Sequence, residues 1–169
     1  RTEFTYDPMG RMTRQTDPLG FVNRSIFDAL GRLVQEINPL GEMTVHGYNG
    51  AHNRISTEQA IPSGGSPGDG QRTQYVYDGV SRLVQEVDPV GNSLGYEYDA
   101  NGNRTALVDP RTHRTTFTYD AANRVGTITD PLGQVTRYGY NGRGQITETT
   151  YANGDRLLYT HDDAGRETT

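Results

Sequence analysis

An aromatic residue followed by aspartate or asparagine recurs through this chain at a step of 21 residues. One step is longer, because 29 residues separate Tyr48 from Tyr77 and eight residues are therefore inserted. A fixed period of this length is typical of repeat architectures, in which each copy forms one small supersecondary unit. The marker pairs are Tyr6-Asp7, Phe27-Asp28, Tyr48-Asn49, Tyr77-Asp78, Tyr98-Asp99, Tyr119-Asp120, Tyr140-Asn141 and the degenerate His161-Asp162.

A second marker begins eleven residues after the aromatic residue in most copies. It consists of aspartate or asparagine, then proline, and in most copies glycine two positions later. This pattern indicates a type I turn, because the aspartate or asparagine side chain caps the backbone, proline presets φ and glycine closes the turn. The tyrosine–aspartate marker opens a similar turn. The second markers are Asp17-Pro18, Asn38-Pro39, Asp88-Pro89, Asp109-Pro110 and Asp130-Pro131, while the stretch 151–154 keeps only the glycine.

Two turns in each repeat leave two segments of about six residues, which is a common strand length. The segments are rich in Thr, Val, Tyr and Ile, which favour strands, and none is long enough for three helical turns. The sequence therefore predicts an all-β fold, an antiparallel array of β-hairpins. About sixteen strands at ~4.8 Å would make a sheet roughly 75 Å wide, and accumulated twist would make it curl, spiral or close.

The inserted residues predict a flexible loop at about 61–71, because this stretch is dominated by Gly, Ser and Pro. The repeats otherwise continue from one end of the sequence to the other. We therefore predict a single array of about eight repeats over residues 1–169.

The aromatic residues explain how so polar a chain can fold. Only 32% of the residues are hydrophobic and the mean hydropathy is -0.78, values that alone would suggest disorder. A second aromatic residue often lies two positions before the marker, on the same strand face. Rows of such pairs would supply cross-strand contacts of about 0.2–1 kcal/mol each. The pairs are Phe4/Tyr6, Tyr75/Tyr77, Tyr96/Tyr98, Phe117/Tyr119 and Tyr138/Tyr140.

An alternative role for these rows is glycan stacking by Tyr75, Tyr96 and Tyr138, because tyrosine faces suit pyranose rings. The repeated aspartates could suggest calcium sites, but each turn offers a single carboxylate, which favours turn capping. The arginine after the turn glycine is expected to pair with an acidic neighbour or to stack on a tyrosine of the adjacent strand. The four histidines show no metal-ligand spacing, so we expect them to be exposed or in turns.

The remaining composition excludes several classes of function. The chain has no Cys, and it carries no nucleophile elbow, P-loop or dinucleotide fingerprint, so we predict no catalytic, cofactor or metal site. An isoelectric point of about 5.3 and intermixed charges argue against nucleic-acid binding. No run of 18 apolar residues predicts a membrane span, and the first residues show no signal-peptide pattern.

The combined motif resembles the RHS/YD repeat. Tyr-Asp-x-x-Gly-Arg-Leu followed by Asp-Pro-x-Gly is clearest at 27–33 and 119–125, and the resemblance covers nearly the whole chain apart from the insertion. Known members include bacterial Rhs polymorphic toxins, Tc toxin C components, wall-associated proteins and teneurins. The resemblance implies a β-strip that spirals into a hollow shell, which in the bacterial toxins encloses a C-terminal toxin domain of the same parent chain.

The resemblance favours a non-catalytic scaffold, secreted or at the cell surface as part of a larger bacterial protein. The conserved C-terminal core segment, where some members cleave themselves, is not recognisable in this sequence, and an autoprotease function would need it. Two further roles are open to such a repeat array. It could bind a cell-surface glycan, or it could pair with a second copy of itself through its sheet edges.

Overall fold

The chain folds into β-hairpins that follow one another in sequence. The computed structural model describes residues 1–62, 64–66 and 68–168. Within these residues there is no helix, every strand pair is antiparallel, and the predicted all-β hairpin array is confirmed. The chain forms two compact units, Arg1–Asn92 and Ser93–Thr169, and the repeat is present in both. The prediction of one array over 1–169 stays a prediction.

The described residues of the first unit form eight strands, each hydrogen-bonded to its neighbours in chain order. Their residues alternate between the two sheet faces, and most side chains are half-buried, as expected for a single layer. The strands are β1 Glu3–Tyr6, β2 Met12–Thr16, β3 Val22–Phe27, β4 Leu33–Ile37, β5 Met43–Tyr48, β6 Arg54–Ile61, β7 Gln71–Tyr77 and β8 Leu83–Val87.

The second unit repeats the same arrangement and ends in a small separate hairpin. Only Ala106 among its described hydrophobic residues is buried, so this unit too has no thick core. The strands are β9 Ser93–Tyr98, β10 Arg104–Val108, β11 Arg114–Tyr119, β12 Val125–Thr129, β13 Val135–Tyr140, β14 Ile146–Thr150, β15 Arg156–Leu158, β16 Thr160–His161 and β17 Glu167–Thr168. In the part of the chain described here, no helix has the length and apolarity needed to cross a membrane.

Both kinds of marker form the same turn. At the first turn the Gly10 N–H donates to the Asp7 carbonyl at 3.0 Å, and the Asp7 N–H donates to the Arg11 carbonyl at 2.9 Å. These bonds enclose three residues, of which the last has a positive φ, and this is the three-residue hairpin with a bulge. Most turns place glycine at the last position, where the missing Cβ makes a positive φ easy to adopt.

At Gly133 the energetic cost of a positive φ can be measured without a contribution from side-chain packing. Its φ is +81°, and a Cβ added there would meet nothing within 4 Å. We therefore expect Gly133→Ala to lower the free energy of unfolding by about 1–2 kcal/mol, since an L-residue is strained in the left-handed region. Urea unfolding followed by tyrosine fluorescence measures it. Gly142→Ala is the matched control, because its surroundings are equally open and its φ is not positive; an equal loss there would contradict the explanation.

The insertion forms a loop between β6 and β7 that is bonded to the sheet. The Glu58 carboxylate is buried and its Oε1 accepts the N–H groups of Gly68 and Gly70, at 2.6 and 2.8 Å. Ile61 is fully buried beside this loop. The flexibility predicted for 61–71 stays a prediction, and Ser63 and Pro67 within that range lie outside the described residues.

Candidate functional site

The tyrosine–aspartate turns carry repeated sets of polar contacts and form the candidate site. At the turn between β3 and β4, the Asp28 Oδ1 accepts the N–H groups of Leu30 and Arg32, each at 2.9 Å. Its Oδ2 accepts the Arg32 Nε at 2.7 Å. One carboxylate thus caps the turn and fixes the arginine that follows it. Such pairs are Asp7–Arg11, Asp28–Arg32, Asp78–Arg82, Asp120–Arg124 and Asp162–Arg166.

The fixed arginine also reaches the next repeat. The Arg32 guanidinium lies 4.7 Å from the centre of the Tyr48 ring, and its Nη1 donates to the Asn49 carbonyl at 3.3 Å. In the second unit, Arg124 lies 4.5 Å from the Tyr140 ring and donates to the Asn141 carbonyl at 3.2 Å. Arginine stacking of this kind is favourable because the face of an aromatic ring has a negative electrostatic potential.

The tyrosine hydroxyl completes the link in the opposite direction. The Tyr48 Oη donates to the Leu33 carbonyl at 2.8 Å, and the Tyr140 Oη donates to the Val125 carbonyl at 2.9 Å. Tyr77 and Tyr119 make the same bond, in each case to a carbonyl of an arginine. We call the repeated aspartate, arginine and tyrosine, joined in this way, the turn ladder. With all three residues it joins one hairpin to the next at Asp28, Arg32 and Tyr48 in the first unit and at Asp120, Arg124 and Tyr140 in the second. The hydroxyl bond has no signal in the sequence.

The electrostatics of the turn ladder follow from these bonds. The pKa of Asp28 is lowered, chiefly by the Arg32 backbone N–H; burial opposes the shift, and the Arg32 guanidinium reinforces it. The pKa of Asp120 is lowered first by the Arg124 side chain and then by its backbone N–H. Burial raises the pKa of the Tyr140 phenol. The turn ladder therefore holds ionised aspartates in fixed places, and at Tyr140 it places a neutral phenol beside Arg124.

Lowered aspartate pKa values give the stability of the array a definite pH dependence. Because the folded-state pKa lies below the unfolded value of about 3.9, the stabilisation is complete above that pH and is lost as the pH falls through the folded-state pKa. We expect the urea midpoint to fall as the pH is lowered from about 5 to about 3. Asp28→Asn keeps the acceptor Oδ1 without the charge, as at Asn49, and should show a smaller drop. A fall of the urea midpoint as large as that of the unchanged protein would contradict the assignment of this pH dependence to the aspartate carboxylates.

The second kind of turn uses its aspartate in the same capping role, without an arginine ladder. Asp17 Oδ1 accepts the Leu19 and Phe21 N–H groups, at 2.8 and 2.9 Å, and Asp130 Oδ1 accepts those of Leu132 and Gln134, at 2.9 and 2.8 Å. Asp88 Oδ1 accepts the Val90 and Asn92 N–H groups in the same way, and its Oδ2 also accepts the Asn92 side-chain N–H at 2.7 Å. The neighbouring prolines are Pro18, Pro89 and Pro131. The predicted motif residues of the two markers thus lie at opposite ends of the strands, where the two kinds of turn are.

The three tyrosines considered for glycan stacking lie on strands at the middle of the repeat. One face of Tyr75 is occupied, because the Arg54 guanidinium lies 5.3 Å from its ring centre. Arg104 lies 6.0 Å from the Tyr96 ring. Tyr138 is half-buried on β13. Glycan stacking stays a prediction for these residues.

The expectation that the histidines are exposed or in turns is wrong for His46. This residue lies on β5 and is buried, with Nδ1 3.1 Å from the Thr57 Oγ1 and Nε2 3.5 Å from Glu36 Oε2. It occupies the position that is aromatic in most other repeats. Among the described residues, no three His, Cys, Asp or Glu side chains are grouped so that they could hold a metal ion.

Comparison with known proteins gives the family. The RHS Repeat model matches residues 77–114, 98–133, 127–156 and 140–169, which together span more than half of the chain. The chain belongs to the RHS repeat family. No curated protein sequence matches it closely enough to count as a relative.

Solved structures share the fold of this RHS repeat chain. The crystal structure of TcdB2-TccC3-TEV is 19% identical, with a TM-score of 0.72 over 97% of the chain. A Tc holotoxin pore of Photorhabdus luminescens is 18% identical, with a TM-score of 0.74 over 99% of the chain. TcdB2-TccC3 without its hypervariable C-terminal region is 15% identical, with a TM-score of 0.64 over 99% of the chain. The chain spans only about a tenth of each matched chain, 10–11%.

Proposed function

We propose that the chain is a non-catalytic scaffold, one segment of an RHS-repeat shell that encloses or displays a C-terminal toxin domain of the same parent chain. Its place would be outside the producing cell, secreted or at the cell surface as part of a larger bacterial protein. The observation that carries this proposal is the turn ladder. Its aspartates, arginines and tyrosine hydroxyls are bonded to the chain's own backbone and side chains.

Because these polar groups bond to partners within the chain itself, they favour a structural role in a shell over a role in an active site. A catalytic group must be able to bond to a substrate, whereas both oxygens of Asp28 are already occupied by Leu30 and Arg32. The same arrangement recurs at Asp120 in the second unit. The same bonding pattern recurs from turn to turn, so it stiffens the strip of hairpins. It does not mark any one turn as a catalytic site. This supports a role that belongs to the strip as a whole.

The fold similarity supports the enclosing role. The matched Tc structures are those of large complexes, and one of them was solved without a hypervariable C-terminal region. A constant repeat array next to a variable region is the organisation expected when the same kind of shell encloses different toxin domains. The RHS resemblance implies the same division between shell and toxin.

The test uses the full parent protein and a deletion of residues 1–169. Limited proteolysis of the intact protein should leave the C-terminal domain uncut, and the deletion should expose it, with the cleavage sites read by mass spectrometry. Leu132→Ala is the matched control, because this side chain is exposed at a turn and its truncation should leave the C-terminal domain protected from the protease. Equal protection with and without the array would overturn the proposal.

A further inference from the structure

Four asparagines of this chain are each followed by glycine, and all four pairs lie in hairpin turns. Such an asparagine can lose its side-chain amide, because the glycine backbone nitrogen attacks Cγ and no Cβ hinders its approach. The N–H proton passes to a solvent base, the N–Cγ bond forms and ammonia leaves. Water then opens the cyclic imide to aspartate or isoaspartate. The four pairs are Asn49-Gly50, Asn101-Gly102, Asn141-Gly142 and Asn153-Gly154.

The turns place the attacking nitrogen in two different states. Gly102 closes its turn, and its N–H donates to the Asp99 carbonyl at 3.2 Å; Gly154 donates in the same way to the Tyr151 carbonyl at 3.0 Å. A bonded N–H is protected from the solvent base that must remove its proton, as it is in hydrogen exchange. Gly50 instead is the first residue inside its turn. It is exposed, and its N–H has no hydrogen-bond partner among the described residues.

The turn also activates the amide group of Asn49. Its Oδ1 accepts the N–H groups of Ala51 and Asn53, each at 3.0 Å. Negative charge develops on this oxygen as the Gly50 nitrogen attacks Cγ, and two backbone donors already aimed at it stabilise that charge, as in an oxyanion hole. The two bonds that cap the turn therefore also favour the attack.

The departing nitrogen distinguishes Asn49 from Asn141, whose Oδ1 is capped in the same way. The Asn141 Nδ2 donates to Gln145 Oε1 at 2.8 Å, and the Gln145 Nε2 donates to the Gly165 carbonyl at 2.9 Å. These bonds hold the nitrogen that must leave as ammonia. In the part of the chain that the structure describes, the Asn49 Nδ2 has no such partner.

We infer that Asn49 is a site of intramolecular deamidation in the folded protein, ahead of the other three asparagines. The aspartate product fits this turn, as Asp99 shows, where Oδ2 accepts the Asn103 Nδ2 at 3.0 Å. Asn53 stands in the same place four residues after Asn49. The reaction therefore gives this copy the marker aspartate that most other copies carry, whereas the isoaspartate product adds a methylene group to the backbone of the turn. The inference does not depend on the scaffold role.

The experiment measures the deamidation rate of each asparagine in the folded chain and in the same chain unfolded by urea, at the same neutral pH. Incubation in isotopically labelled water marks each converted residue with one heavy oxygen, which mass spectrometry locates after digestion in ordinary water. All four sites should react at similar rates in urea. Folding should slow Asn101 and Asn153 by about three- to tenfold, the factor that one net hydrogen bond represents. Asn49 should become the fastest of the four.

Gly50→Pro tests whether the backbone nitrogen is the nucleophile. Proline occupies the same turn position at Pro8 and Pro18, so the variant keeps a turn that this fold already uses. Proline has no backbone N–H, so deamidation of Asn49 should stop while that of Asn141 continues at its original rate. The inference is overturned if another asparagine reacts faster than Asn49 in the folded chain, or if Asn49 reacts as fast in Gly50→Pro as before.

Discussion

Replacing Ile61 with alanine should lower the free energy of unfolding of the first unit by about 2–5 kcal/mol, the cost of truncating a fully buried aliphatic side chain. Ile61 is the one large side chain of the described residues that is completely shielded from solvent. The loop backbone surrounds it, since a Cβ added at Gly70 would lie 2.8 Å from Ile61 Cγ1 and one at Gly65 would lie 3.1 Å from Cγ2. A loop packed this closely cannot collapse fully into the space that alanine leaves.

The measurement is urea unfolding followed by tyrosine fluorescence, because the chain contains eleven Tyr and no Trp. Ile26→Ala is the matched control, since Ile26 lies on β3 of the same unit and is 43% exposed. Its loss should be well below that of Ile61→Ala, because much of the removed surface is already hydrated. Equal losses at the two positions would show that the loop does not hold Ile61 as the structure indicates.

The two-turn hairpin repeat could be predicted from the sequence because its determinants are local. Asp17 and Pro18 specify a turn within four residues, and alternation along a strand then assigns each side chain to a face. Most copies carry the same determinants, so a weak single copy, such as the degenerate one at His161, does not affect the predicted fold. Membership of the RHS repeat family followed from the same motifs and is confirmed.

Three contacts between segments distant in the sequence could not be predicted, because they depend on which residues meet across the sheet. The Tyr48 hydroxyl bonds a backbone carbonyl 15 residues earlier, and a carbonyl has no sequence signature. Burial of His46 depends on Thr57, eleven residues away on the next strand. The Glu58 carboxylate receives N–H groups from a loop whose composition indicated only flexibility. Each case requires the register of the strands to be known first.

The turn ladder makes a quantitative prediction at Tyr140, where all of its contacts are present. Tyr140→Ala should lower the free energy of unfolding by about 2–3 kcal/mol, below the roughly 3–5 kcal/mol of a fully buried aromatic residue, because this ring is half-buried. Tyr140→Phe should cost about 0.5–1.5 kcal/mol, since it removes only the hydroxyl bond to the Val125 carbonyl. Tyr151→Ala is the control, because that ring is 41% exposed and lies in a turn.

A double-mutant cycle between Arg124→Met and Tyr140→Ala then separates the ladder from simple burial. Arg124 is bonded to Asp120 within its own turn and lies 4.5 Å from the Tyr140 ring, so the two losses should not add. We expect a coupling of about 0.5–1 kcal/mol, the size of a partly exposed cation–π contact. Additive losses would mean that the Arg124–Tyr140 contact adds nothing to the backbone hydrogen bonds that already join β12 to β13. Coupled losses would mean that the strip resists bending through the side chains at its edge, because a single-layer sheet has no second layer to stiffen it.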